Sequence, residues 1–430
     1  MPTFLHAADL HLDSPLQRLE AYEGAPVEPI RLASRRALEN LVELALARNV
    51  DLVVIAGDLY DGDWQDHHTG LFFVSQVTRL VREGIPVVAI SGNHDAASQM
   101  TKSLPLPKNP DGSPIMLSSR SAETRRFPDL GISVHGRSFG RRAEVDNMVP
   151  DYPAADGGVF NIGVLHTSLT GAEGHDTYAP CTTLDLVNKQ YDYWALGHVH
   201  TRRLHHDVQD PDAAPIVFPG NLQGRHPKET GAKGCYVVDI DSRGRPHLEF
   251  ETLDVVRWET CPLKLEDCET LDDVYDRYRS WLQAAMHEAG DRILAHRVRA
   301  LGGTGLHNTL VSDHLQIENS LRAVAMEIAG EQAWLESLRV RTSLPRDAMP
   351  NFDPDGPLGC LEEVLAEMST DDQLDSLGDE LSDLVRKLPD ELTAAPQDAL
   401  RLNDPQTLRE LIEAARPLLH VQLHREEATQ

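Results

Sequence analysis

Thiols are scarce in this sequence. Its five cysteines (Cys181, Cys235, Cys261, Cys268 and Cys360) are odd in number, scattered, and never spaced as CxxC. That pattern excludes a cysteine metal site and points to a reduced, cytoplasmic protein without a disulfide framework. Long apolar runs are missing too: none approaches the ~18 residues that a membrane span requires. The N-terminus, "MPTFLHAADLHLDSP", places an acid and two histidines within its first eleven residues, where a signal peptide would carry a basic start and an apolar stretch. No GxxxxGK[ST] stretch occurs, so any ATP-driven step must come from another subunit. Positive charge is the last shortage. Forty Lys and Arg face 68 Asp and Glu, a net charge of −28, which taken over the whole chain argues against a polyanionic partner. The charge is unevenly spread, however: residues 351–400 carry 2 basic and 14 acidic side chains, whereas residues 101–150 carry 8 and 5.

What is present is ordinary for a globular protein, with 41% hydrophobic and 25% charged residues. The length of 430 residues allows roughly three domains at ~150 residues each. The first 255 residues alternate short apolar runs with helical patterns. "TFLHAAD", "DLVVIAGD" and "IPVVAISGNHD" read as strands, separated by the amphipathic stretches "PIRLASRRALENLVELALARN" and "TGLFFVSQVTRLVREG". Continuous apolar strands in a βαβαβ rhythm imply a sheet covered on both faces. From about residue 131 the pattern is strand-rich ("GISVHG", "VFNIGVLHTS", "YDYWALGHVH", "APIVFPG", "KGCYVVDI", "PHLEFETL"), enough for a second sheet packed on the first. The expected fold class is therefore a layered α/β domain over residues 1–255. Residues 256–345 read as a separate small α/β unit. Residues 346–430 read as a Pro/Asp/Gly-rich linker followed by acidic amphipathic helices.

Polar residues suited to metals recur at the ends of these strands. Asp9 and His11 end the first and Asp58 the second; Asn93, His94 and Asp95 end the third. His166 ends "VLH", and His198 and His200 end "LGHVH". In layered α/β sheets ligands bind beyond the carboxyl ends of the strands, so segments far apart in sequence can converge. The residue types suit two adjacent divalent ions. A carboxylate can bridge the pair, while His nitrogen and Asn oxygen supply neutral ligands, a set that favours Mn, Fe or Zn over soft metals. Two such ions can clamp both moving oxygens of a displacement at phosphorus. Each piece alone has an ordinary reading as turn chemistry; five in order, each ending a strand, do not.

Asp9-x-His11, Gly57-Asp58, Gly92-Asn93-His94-Asp95, His166 and Gly197-His198-x-His200 together resemble the motif set of the calcineurin-like metallophosphoesterases. "HAADLHLDSP", the GNHD form and the C-terminal extension are similar to the DNA-repair exonuclease branch (SbcD/YhaO-like). "YDYWALGHVH" and "PGNLQGRHPKETGAKGCYVVDID" look most like its YhaO-type subgroup. The resemblance implies a metallophosphoesterase fold of two packed sheets flanked by helices, with a small capping domain at 256–345 that shapes the approach of DNA. It implies Asp9, His11, Asp58 and His200 at one metal, and Asp58, Asn93, His166 and His198 at the other. It gives His94 the substrate phosphate, with Asp95 orienting the ring. The implied activity is phosphodiester hydrolysis of DNA, with two divalent ions, Mn2+ as the usual metal and Fe2+ or Zn2+ as alternatives. The implied partner is an SMC-like coiled-coil ATPase docked on the helices after residue 350; a homodimer is left open. A small-molecule phosphodiesterase and a non-catalytic scaffold are the rival readings.

Other residues have weaker claims. Arg225, His226 and Lys228, with Lys233, lie near the last ligand strand and suit contact with a DNA phosphate; a surface loop is the plainer reading. Asp13 and Asp61 follow motif residues closely and could support the ligands or merely be solvated. Arg120, Arg125, Arg126, Arg137, Arg141 and Arg142 form the basic stretch. His67 and His68 read as surface residues, and His175 could shape the substrate mouth.

Overall fold

The computed structural model describes residues 1–14, 26–61, 67–97, 105–169, 178–205, 213–345, 356–381 and part of 402–419. In chain order its strands are β1 (Thr3–Ala7), β2 (Leu52–Ala56), β3 (Val87–Ile90), β4 (Glu123–Phe127), β5 (Ile132–Gly136), β6 (Phe160–His166) and β7 (Tyr193–Gly197). They continue with β8 (Arg203–His205), β9 (Ile216–Phe218), β10 (Gly234–Ile240), β11 (Pro246–Thr252), β12 (Val256–Lys264), β13 (Ile293–Gly303) and β14 (Ala333–Ser343). Helices α1 (Val27–Arg48), α2 (His67–Arg82) and α3 (Asn93–Ala97) lie in the first hundred residues.

Contacts divide the chain into two compact units. One comprises Met1–Thr260 with Ala284–His296 and Ala329–Glu336; the other comprises Cys261–Gln283, Arg297–Ile328 and Ser337–Gln430.

The first unit holds two sheets. One has the order β11-β10-β1-β2-β3, with β1, β2 and β3 parallel and β10 antiparallel to β1. The other has the order β4-β5-β6-β7-β9-β8, parallel from β5 to β9, with an antiparallel strand at each edge. Their inner faces share one core, in which Phe4, Val54 and Val88 of the first sheet cluster with Val134, Val164 and Tyr193 of the second. Phe4 and Tyr193 meet edge to face, 5.2 Å between ring centres. Strands covered on both faces need apolar side chains at every position, which is why β2 and β3 are unbroken runs of Leu, Val, Ile and Ala.

The outer face of the first sheet is covered by α1 and α2. In α1 the buried residues Ile30, Ala33, Ala37, Leu38, Leu41 and Ala45 recur three and four apart, one face of a 3.6-residue period. The helix stops at Asn49, whose φ of 47° is left-handed and whose amide donates to Leu46 O at 3.2 Å. Gly84 turns the chain out of α2 at φ 82°. The sequence reading missed β4, "ETRRF", and β8, "RLH". Both are edge strands whose side chains are mostly half-buried, so little forces them to be apolar.

A third sheet has the order β12-β13-β14. Helices Leu271–Ala289 and His314–Ala329, whose larger parts belong to the second unit, bury Tyr278, Leu282, Ile317 and Leu321. The Glu318 carboxylate accepts the Leu338 amide at 2.8 Å. Helices Pro357–Met368 and Asp371–Glu380 gather Leu365, Leu374, Leu408 and Ile412 into a small cluster. Most of the linker, at 346–355, lies outside the described residues, as does much of the acidic tail. No helix among the described residues is long and apolar enough to cross a membrane.

Candidate metal centre

The carboxyl ends of β1, β2, β3, β6 and β7 meet at one edge of the two sheets, because His166 stands opposite Gly197 and Ala56 opposite Ile90 in the strand registers. Beyond the ladders the chain stays paired. Asp9 N donates to Gly57 O, His11 N to Asp58 O and Leu12 N to Leu59 O, each at 3.0 Å. The Asp-x-His and Gly-Asp loops are thereby locked side by side. Turning off the strands requires unusual backbone. Asp9 (φ 51°), His11 (φ 43°), Asp58 (φ 50°) and His198 (φ 99°) all have positive φ, a region that non-glycine residues occupy at a cost of about 1–3 kcal/mol each.

Glycines at the motif positions answer a second demand, space. A Cβ on Gly92 would stand 2.3 Å from Asp58 Oδ1 and 2.7 Å from the His166 ring, and one on Gly197 would stand 1.9 Å from Ala56 O. The buried His166 ring occupies the room those side chains would need.

The ligand candidates converge in three overlapping groups, two of which share Asp58. Asp9, His11 and His200 place donor atoms within 4.8 Å of one another, as do Asp9, Asp58 and His166, and also His11, Asp58 and His94. His11 Nε2 is 3.1 Å from His200 Nε2 and 3.7 Å from Asp58 Oδ2. The same Asp58 oxygen is 3.3 Å from His166 Nε2, which lies 3.0 Å from Asn93 Oδ1. His198 stands beside these groups. Its backbone amide donates to both Asp9 oxygens at 3.0 Å, and its ring packs edge-on against His166, 5.2 Å between centres.

The donor set fits cations. His166 Nδ1–H donates to Ala56 O at 2.9 Å, which turns the Nε2 lone pair toward the oxygens of Asn93 and Asp58. A lone pair facing two oxygens needs positive charge among them, either a proton or a metal. Burial opposes a charge on His166, yet the Asp58 carboxylate beside it lifts the ring to about 9. His11 takes the opposite course: burial, aided by the Arg225 charge, lowers it to about 3 and keeps the ring neutral. Burial also works against the Asp58 carboxylate, but His166, His11 and His94 hold it well below the usual range. Oxygen and imidazole donors without thiolate are the chemistry of Mn, Fe and Zn.

Around the ligands the structure departs from expectation in three places. Asp95 does not orient His94. Its fully buried carboxylate accepts the backbone amides of Leu59 (3.0 Å), Tyr60 (3.0 Å) and Gly92 (3.1 Å). The next residue along a short helix points elsewhere, and Asp61 takes the role, its Oδ1 2.6 Å from His94 Nδ1. Asp13 serves the scaffold, accepting Arg35 Nε at 2.8 Å and Thr69 Oγ1. Arg225 is turned inward, its NH2 2.9 Å from Glu229 Oε1 and its NH1 3.6 Å from Asp61 Oδ2, while His226 and Lys228 are exposed.

Four arginines of the basic stretch hold acids: Arg125 with Glu123, Arg126 with Asp156, Arg137 with Asp151 and Arg141 with Glu144. His175 lies outside the described residues, and His68 is exposed. Glu229 escaped the sequence reading. It supports His200 at 2.8 Å, and its place in "GRHPKE" carries no spacing signal to a histidine 29 residues earlier.

Comparison with known proteins agrees with this geometry. Residues 2–202 match the calcineurin-like phosphoesterase family, and residues 258–343 match the middle domain of metallophosphoesterase YhaO. The chain is 31% identical over 356 residues to the uncharacterized metallophosphoesterase YhaO of Bacillus subtilis (strain 168), covering 82% of this chain and 84% of that protein. It is 27% identical over 272 residues to the DNA double-strand break repair protein Mre11 of Methanopyrus kandleri, covering 57% and 55%. Against the Mre11 of Sulfurisphaera tokodaii it is 24% identical over 261 residues, covering 58% and 62%. With its motif residues gathered at one sheet edge and its middle region matched as well, the chain belongs to the calcineurin-like metallophosphoesterases, in the YhaO-like branch.

Proposed function

We propose that the protein is a two-metal, Mn2+-dependent DNA nuclease that hydrolyses phosphodiester bonds as an exonuclease, working with an SMC-like coiled-coil ATPase. The observation that carries the hydrolytic part is Asp58 standing between two donor groups, His11 on one side and His166 on the other. DNA as substrate is supported by the likeness to proteins named for double-strand break repair. Asp9, His11, Asp58 and His200 would hold one ion, and Asp58, Asn93, His166 and His198 the other. Bound there, the ions would supply polarisation of the phosphoryl group and acidify water. His94, 30% exposed, holds its Nδ1–H on Asp61, which outweighs burial and favours the imidazolium, so that Nε2–H would be the proton given to the leaving oxygen. Arg225 contributes positive charge at the same edge, where a phosphate would sit.

The alternative, a phosphodiesterase of small molecules such as cyclic nucleotides, is favoured by one observation: Arg125, Arg126, Arg137 and Arg141 are engaged with acids. One experiment decides. Purified protein and Asp58→Asn are incubated with end-labelled duplex and single-stranded DNA and with cyclic dinucleotides, with and without Mn2+. Metal-dependent shortening of DNA by the wild type alone is expected. Turnover confined to the small substrates would overturn the nuclease reading.

A further inference from the structure

We infer that Glu229 is a positioning residue that fixes the proton of His200 on Nδ1 and so commits Nε2 to the metal, with Arg225 tying this support to that of His94. The inference rests on the two-metal reading of the centre.

Glu229 is 7% exposed and saturated with donors. Its Oε1 lies 2.8 Å from His200 Nδ1 and accepts Arg225 NH2 at 2.9 Å. Its Oε2 accepts Asn221 Nδ2 and the Arg225 amide, each at 2.8 Å. An ionised carboxylate only accepts, so the proton between Glu229 and His200 belongs to Nδ1. Arg225 NH2 also lies 3.2 Å from Nδ1, but a guanidinium only donates, and its proton goes to Oε1. Nε2 is left with its lone pair, 3.1 Å from His11 Nε2 in the donor group that includes Asp9. The other end of the same arginine reaches Asp61, the residue behind His94. One guanidinium thus spans the carboxylate that sets a ligand and the carboxylate that sets the proton donor. Lys233 pins the His200 backbone as well, donating to its carbonyl at 2.9 Å.

Glu229→Gln is a sharp probe because an amide cannot satisfy this site. Whichever way it turns, its NH2 faces either the donor Arg225 and His200, which could accept it only by moving its proton to Nε2, or Asn221 and the Arg225 amide, which both donate. Supports of this kind are worth about 10–100-fold in metal affinity. Metal-free wild type and Glu229→Gln are titrated with Mn2+ calorimetrically, and the melting of each is measured in chelator. Two ions on the wild type and a 10-fold or greater loss at one site in the variant support the inference. Unchanged affinity at both sites, with or without a lower melting temperature, overturns it and leaves the two-metal reading standing. A wild type that binds no Mn2+ overturns both. A second measurement does not depend on the variant folding. In 15N-histidine-labelled metal-free wild type at pH 8, the His200 signal, assigned by its loss in His200→Gln, is expected to show a protonated Nδ1. A proton on Nε2 overturns the assignment.

Discussion

Exchanging two neighbouring acids tests the division of labour around His94. Asp95 holds three buried amides, two on Oδ2 and one on Oδ1. Asparagine has one oxygen. Placed at the Oδ2 position, it keeps Leu59 and Gly92 but sets its NH2 against the Tyr60 amide, leaving two donors unmet. Each such buried group costs about 1–3 kcal/mol. Part of this is recovered, because burial and the charge of Asp58 already push Asp95 up to about 7, and the amide removes that repulsion. The net expectation for Asp95→Asn is about 2 kcal/mol, or roughly 3–4 °C in the melting of a unit this size.

Asp61→Ala should behave in the opposite way. It removes the partner of His94 Nδ1 and a neighbour of Arg225 from a side chain 17% exposed, touching no backbone ladder. A smaller melting shift is expected, together with a fall in kcat of about 10–100-fold as the His94 ring loses its orientation. The assay pairs thermal melts in chelator with hydrolysis of a chromogenic phosphodiester in Mn2+. If Asp95→Asn lost activity without melting earlier while Asp61→Ala hydrolysed at the wild-type rate, the acids would have been assigned the wrong way round.

Other perturbations have equally definite outcomes. Gly92→Ala drives a methyl to 2.3 Å from Asp58 and 2.7 Å from His166, and elemental analysis should find it short of two metals, with hydrolysis down ~100-fold; full occupancy and rate would contradict the packing argument. His94→Ala should retain both ions and lose ~100–10,000-fold in kcat, and loss of both ions would remove it from the proton-donor role. Mn2+ at ~100 times its dissociation constant should add about 2.7 kcal/mol per independent site, seen as a rise in melting temperature that Asp58→Asn lacks. Arg126→Ala, which only releases Asp156, should leave DNA affinity within twofold, and a larger loss would return the basic stretch to the substrate.

The sequence displayed the scaffold well because burial on both faces leaves no freedom in strands such as "LVVIA" and "VVAI". The polar residues that gather at the sheet edge were conspicuous because each follows such a strand, where a polar side chain stands out. The supporting groups were hidden for geometric reasons. Asp95 is adjacent to His94 in the chain, yet its carboxylate faces the β2 loop; Asp61, 33 residues away, faces the ring. Arg225 reads from the sequence as a phosphate contact or as part of a surface loop, whereas its side chain folds inward onto Glu229. Proximity along the chain predicts contact across a sheet edge poorly, since loops from different strands supply the neighbours.

The left-handed backbone at Asp9, His11, Asp58 and His198 has a consequence for stability. The sheets, and the amides that lock the two loops together, hold these residues bent, so the fold carries a local cost at the positions whose side chains gather at the sheet edge. Glycine would take up the same backbone without strain and would bring no donor atom, so stability and chemistry pull in opposite directions at these four positions.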